Sequence, residues 1–275
     1  RQEETGMKKL ATALVSAAAI MTMSTTAFAA ENPAEVFDRV MEKNNTIQSA
    51  EIQSGVHSVI LAKDVIPDGQ MKVDMAMHAE MDMQDTTDLK YLAQVASSIL
   101  GQDSYSQVFY TDGYYYVDTN GVKLKYPMPL EQIISSVQTG VNTSNMESSY
   151  MKGISLNEVN GKRVLAYEAN PKKLNKNVKE ALGTVMNTLG TDINLDMNIQ
   201  EMKGAYVLDD NDYIIYMTNY IVYNMEVLDQ PMTCITLMET EVQNPGEPVV
   251  VTLPSTDGYE DLIGLYDGVI ESEVE

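Results

Sequence analysis

The segment Met75-x-Met77-His78-x-x-Met81-x-Met83 carries the densest set of potential ligands in the chain. Its thioethers are soft donors that suit Cu(I), and His78 adds an imidazole. An extracytoplasmic copper-binding protein is therefore one reading. Geometry weighs against it: on a strand the Met side chains share one face and His78 points from the other. On a helix, Met77 and Met81 would sit one turn apart and could converge.

Other chemistry is sparse. The turn Asp209-Asp210-Asn211-Asp212, or Asp82 with Asp85, could offer oxygen ligands to Ca²⁺, but neither has the full spacing of an EF-hand loop. The chain has two histidines, His57 and His78, and one cysteine, Cys234. A nucleophile–base site would need one of these histidines, and neither lies in a nucleophile motif. HExxH, CxxC, P-loop and GxGxxG signatures are absent. The sequence assigns no catalytic residue, no metal ligand and no cofactor, and an enzyme is not expected. Tyrosines gather at 110–116 and 213–223. In strands they are expected to pack with their hydroxyls near water. Carbohydrate stacking is the rival use, and the lack of Trp weakens it.

The elements that must position these residues are mostly strands. From Gln70 to Asp85 the odd positions are Met71, Val73, Met75, Met77, Ala79, Met81 and Met83, and the even ones are largely polar. That period-two pattern predicts a long strand with one dry face, and the dry face is mostly Met. Met adapts to irregular or exchangeable partners. Ile193, Leu195, Met197 and Ile199 repeat the pattern, alternating with polar residues. Further strands are expected at 52–62, 105–127 (a three-stranded meander turning at Asp112-Gly113 and Asn120-Gly121), 151–167 (a hairpin around Asn160-Gly161), 213–227, 232–242 and 249–253.

Helices are expected in four places. Asn32-Pro33-Ala34-Glu35 is a start signal, and Val36, Phe37, Val40 and Met41 form its stripe. Leu89, Leu92, Val95, Ala96 and Ile99 have helical spacing, with Gly101 as the stop. Leu130, Ile133, Ile134 and Val137 suggest a short helix. Pro171 to Gly190 reads as the clearest one, its N-terminal half rich in Lys.

Met7 to Ala29 reads as a secretory signal: Lys8 and Lys9, then an apolar stretch, then Ala27-Phe28-Ala29. A transmembrane anchor is the competing reading, but the apolar run is short and broken by Thr and Ser. Residues 1–29 are set aside as upstream residues and export signal, 30–255 are read as one domain, and 256–275 as an acidic tail. The expected location is secreted or extracytoplasmic. No Cys stands near the cleavage region, so no stable membrane anchor is expected. The formal net charge is −22, which makes nucleic acid an improbable partner because phosphate binding needs a basic patch.

The expected fold class is α+β: a large curved antiparallel sheet, a half-open β-barrel, wrapped over helices. The export signal, the opening helix, the Met-rich alternating strands, the Tyr110-Thr111-Asp112-Gly113-Tyr114-Tyr115-Tyr116-Val117 hairpin, the strand 122–127 and the late strand block carry a likeness. On these features the chain resembles the LolA/LppX-like superfamily of exported lipoprotein and lipid carriers, closest to its Gram-positive secreted branch. The chain departs from relatives in lacking a lipobox Cys and any Trp. The resemblance implies an apolar cavity between sheet and helices that takes acyl chains. The implied partner is a hydrophobic small molecule or lipid, with a cell-envelope protein as a further candidate. Met71, Val73, Met75, Met77, Met81 and Met83 are expected to line one wall, and Ile193, Leu195, Met197 and Ile199 another. A protein-interaction or structural module with a closed core is the alternative.

Overall fold

The computed structural model describes residues 31–62, 66, 68–85, 89–130, 132, 146–176, 197–227 and 230–262. The expected export signal, the expected wall residues Ile193 and Leu195, most of the helices expected at 130–137 and 171–190, and residues 263–275 lie outside them.

The opening helix forms where its signals place it. α1 spans Pro33–Asn44. Asn32 caps it: its side-chain oxygen accepts the Ala34 N–H at 3.1 Å, and its amide donates to Glu35 at 3.2 Å. Val36, Phe37, Val40 and Met41 are its buried stripe.

Strands dominate. They are β1 (Ser49–Leu61), β2 (Gln70–Asp82), β3 (Lys90–Ile99), β4 (Gln102–Thr111), β5 (Tyr114–Thr119), β6 (Val122–Pro127), β7 (Met151–Val159), β8 (Lys162–Ala169), β9 (Met197–Leu208), β10 (Ile214–Val227), β11 (Gln230–Gln243) and β12 (Glu260–Asp261). Their hydrogen-bonded order is β12-β6-β5-β4-β3-β2-β1-β11-β10-β9-β8-β7. The pairs from β3 to β6 and from β7 to β11 are antiparallel, and β12 runs parallel to β6. Turns 112–113, 120–121 and 160–161 all hold their first residue at positive φ ahead of a positive-φ Gly, the geometry of tight hairpins.

Three expectations are corrected. Residues 89–101 are not a helix. They are β3 and the turn Leu100-Gly101, whose two positive φ values (52° and 76°) close a hairpin with β4. Both faces of β3 are used, Tyr91 (with Leu89 just before the strand) in one apolar cluster and Leu92 in another. Two-sided burial erases the period-two signal and leaves apolar spacing that mimics a helix. Residues 249–253 are extended but not a strand: Pro248 and Pro254 remove N–H donors at both ends. Among the described residues the sheet is not wrapped over several helices, because the helix content is small. It comprises α1, a 3₁₀ turn at Ser148–Tyr150, isolated positions at 130, 132 and 262, and the helical residues 171–176.

The chain folds as two compact units. The first holds α1, residues 55–74 and residues 146–241; the second holds 45–54, 75–145 and the chain from Val242. β1 and β2 contribute residues to both.

In the first unit α1 packs on Leu165, Tyr167, Tyr206, Leu208 and Ile214. Phe37 meets the Tyr167 ring edge-on at 5.7 Å. The Tyr167 hydroxyl donates to the buried Asn219 at 2.5 Å. Gly204, opposite Asn219 in register, makes the room: a Cβ there would stand 2.4 Å from the Asn219 side-chain oxygen. The acidic turn secures the helix. Asp212 accepts from Arg39 at 2.9 Å and Arg163 at 2.5 Å, and the Asn44 amide donates to its backbone oxygen at 3.0 Å.

Candidate functional site

The site with the most distinctive chemistry lies in the second unit, and turn placement builds it. Two-residue turns at 100–101, 112–113 and 120–121 fix the registers Tyr91↔Tyr110, Tyr110↔Tyr115 and Tyr115↔Tyr126. Four tyrosines therefore form a row across β3, β4, β5 and β6 on one face. Met81 from β2 and Met83 just after it, Ala50 from β1, Leu89 and Met128 complete that apolar surface. Tyr110 is buried and donates to the Met128 carbonyl at 3.3 Å. Tyr91, Tyr115 and Tyr126 are half-buried. Burial, with the Tyr91 and Tyr126 phenols beside it, pushes Tyr115 up to about 12. Burial raises Tyr91 and Tyr126 as well. These rings present apolar faces with neutral phenols at neutral pH.

The opposite face is closed differently. Leu92, Phe109 and Tyr116 pack under the segment Val249–Leu253, from which Val251 is buried. Phe109 and Tyr116 stack at 4.6 Å, and Tyr259 meets Tyr116 edge-on at 5.1 Å. His78 belongs to this side. It lies 3.1 Å from Glu80 and 3.9 Å from Glu51, and the other Glu80 oxygen accepts the Thr252 N–H at 3.4 Å.

The expected wall residues fall into three groups. Met81 and Met83 are buried in the tyrosine-row cluster, Met81 only 2% exposed. Met77 is half-buried, and Met75, on the same strand face, is 39% exposed. In the first unit Met71 and Val73 are half-buried. On the second expected wall Met197 is half-buried, and Ile199 is buried against Met202, Ile221 and Tyr223. Ile193 and Leu195 lie outside the described residues. Because β2 is extended, His78 points away from Met77 and Met81, so the Met/His segment does not converge on one face. Among the described residues no group of three or more His, Cys, Asp or Glu is placed to hold a metal ion. The acidic turn at 209–212 is occupied by protein: Asp209 accepts the N–H groups of Asn211 and Tyr213, each at 2.8 Å, and Asp212 binds the two arginines.

Tyr91, Tyr126 and Met128 were not among the expected wall residues. The signal that finds them is turn spacing: counting outward from three two-residue turns places the tyrosines opposite one another.

Comparison with known proteins adds the following. A family model described as a family of unknown function, DUF6612, matches residues 32–254. No curated protein matches the chain. Among solved structures, LprF from Mycobacterium bovis is 10% identical with a TM-score of 0.36, covering 81% of this chain and 97% of its own. The lipoprotein LppX from Mycobacterium tuberculosis is 9% identical with a TM-score of 0.34, covering 81% and 100%. The ywiB protein from Bacillus subtilis is 11% identical with a TM-score of 0.23, covering 73% and 96%. Likeness at these scores is loose.

Proposed function

The chain belongs to the DUF6612 family of unknown function, and for it we propose an exported, non-enzymatic role: holding a hydrophobic ligand, an acyl chain or lipid, against Met-rich strand faces. The observation that carries this is a contrast along β2. Its odd-numbered face has core composition throughout, yet Met81 is 2% exposed and Met75 is 39% exposed. A long apolar side chain left half-open on a core-type face is a place for an exchangeable apolar partner. In the second unit Met75 and Met77 would extend the floor formed by Met81, Met83 and the tyrosine row. In the first unit Met71, Val73, Met197 and Ile199 would contribute apolar surface, with Ile193 and Leu195 joining them.

The energetics favour long chains. Each methylene buried contributes about 0.8 kcal/mol, so a twelve-carbon chain gains roughly 10 kcal/mol gross. That is comparable with the ~4–15 kcal/mol cost of association, and only longer chains bind usefully. Affinity should therefore climb about fourfold per methylene until the surface is filled.

The test is native mass spectrometry of the purified protein with organic extraction, followed by titration with saturated fatty acids of increasing length and with phosphatidylglycerol. A bound lipid, or length-dependent uptake lost in a folded Met75→Lys/Met77→Lys variant, supports the reading. A clean apo mass with no uptake of any of these probes overturns it and leaves the closed-core envelope module.

A further inference from the structure

One group of side chains, of which the lipid reading uses Met197 alone, gathers sulfurs at the far end of β10. β9 and β11 flank β10, and the registers Met225↔Met197 and Met225↔Met232 place three methionines side by side on one face. Cys234, two residues beyond Met232 and opposite Tyr223, shares that face. Directly opposed residues have Cβ atoms about 5 Å apart, within reach of flexible thioethers. One contact is already made, the Cys234 thiol lying 3.7 Å from the Met225 sulfur. Two sulfurs bound to one ion at about 2.3 Å and a tetrahedral angle stand roughly 3.8 Å apart. The pair needs little movement to share an ion.

We propose that Cys234, Met225, Met232 and Met197 form a soft-metal site that takes one Cu(I) ion. Three neutral thioethers and a thiol select against hard cations such as Ca²⁺ and Mg²⁺ and suit Cu(I). The set includes no histidine and no carboxylate, so oxygen- and nitrogen-preferring ions gain nothing from it. Access is graded: Cys234 is 1% exposed, while Met197, Met225 and Met232 are half-buried and form the entry. Binding is a ligand exchange without redox change. The Cys234 sulfur gives its proton to solvent and bonds to Cu(I), and the thioethers donate lone pairs. Because copper displaces the thiol proton, uptake should release one proton and tighten as pH rises. This site is separate from the Met75–Met83 segment, whose methionines and His78 face apart.

The experiment titrates the protein anaerobically with Cu(I) in competition with bicinchoninate, and follows copper X-ray absorption. The expected result is one equivalent withdrawn, with sulfur-only scatterers. Met225→Leu and Met232→Leu keep volume and fold, and each should weaken binding about tenfold or more. Cys234→Ser should weaken it further and abolish proton release, while Met75→Leu/Met77→Leu should change nothing. No withdrawal from bicinchoninate, or binding unchanged in the folded Met225→Leu/Met232→Leu double variant, overturns the proposal. So does binding that follows Met75 and Met77. If Cys234→Ser fails to fold by circular dichroism, the Leu double variant decides alone.

Discussion

Replacing Asp212 with Asn tests whether the acidic turn is a structural latch. In the folded protein Asp212 is 16% exposed and binds Arg39 at 2.9 Å and Arg163 at 2.5 Å. Arg163 is 22% exposed, and among the described residues its other terminal nitrogen, which is buried, has Glu31 at 3.7 Å and no hydrogen bond. Removing one member of a buried ion pair costs about 3–5 kcal/mol, because the other charge is stranded. Both groups keep some water, and the Arg39 arm is half exposed and worth less than about 1 kcal/mol. The expected loss is therefore about 2–3 kcal/mol. For a unit of this size that lowers Tm by roughly 4–12 °C. Asn44 binds the turn through backbone groups of Asp212 and Ile214, so α1 should stay docked. The pH dependence gives a second check. Partial burial pushes the Asp212 carboxyl up, but the Arg39 and Arg163 hydrogen bonds outweigh it and hold the carboxyl below its ordinary value. A depressed folded value means the stabilisation is present above the ordinary carboxylate range and is lost as pH falls through the folded value. The difference between wild type and Asp212→Asn, measured by urea unfolding, should be constant from about pH 5 to 7 and shrink below about pH 4. A difference under about 0.5 kcal/mol, or one equally large at pH 3, would refute the latch.

Gly204→Ala should destabilise the first unit by about 3 kcal/mol or more, read by urea unfolding. Its Cβ would meet the Asn219 side-chain oxygen at 2.4 Å and the Thr218 backbone oxygen at 2.5 Å, and backbone cannot swing aside. Met81→Ala should cost about 2–4 kcal/mol, whereas Met75→Lys should stay within about 0.5 kcal/mol, because only the first residue is buried. Equal losses at both positions would contradict the graded burial of β2. In a phenol absorbance titration, Tyr115 and Tyr206, each pushed up to about 12 by burial, should ionise after the exposed tyrosines. Raised folded values mean that stability falls between about pH 10 and 12, where only the unfolded chain ionises these groups. Complete titration of all tyrosines by pH 11 in the folded protein would rule out the buried row.

What could be read from the sequence depended on how locally each feature is encoded. α1 was legible because its cap, first-turn acid and apolar stripe lie within twelve residues. β2 was legible because one of its faces is polar, so alternation survives. β3 was not, because Tyr91, with Leu89 just before the strand, serves one cluster and Leu92 another. A strand buried on both faces loses the pattern by which strands are recognised. The Asp212 latch joins Arg39, Arg163 and Asp212 across as many as 173 residues of sequence, and no local pattern announces such a pairing. The tyrosine row lies between these cases. Its members look scattered along 91–126, yet the turns 100–101, 112–113 and 120–121 determine that they align. The same logic exposes the sulfur group at Met197, Met225, Met232 and Cys234. There the β10–β11 register runs unbroken to the pair Val227↔Gln230, while the β9–β10 register shifts twice, between Ile214 and Tyr216 and between Val222 and Tyr223. The two shifts cancel, so counting from the pair Ile214↔Leu208 places Met225 opposite Met197, whereas a single uncompensated slip would move a side chain to the other face. The lipid reading and the copper reading thus rest on different kinds of information: composition along one strand for the first, and alignment across three strands for the second.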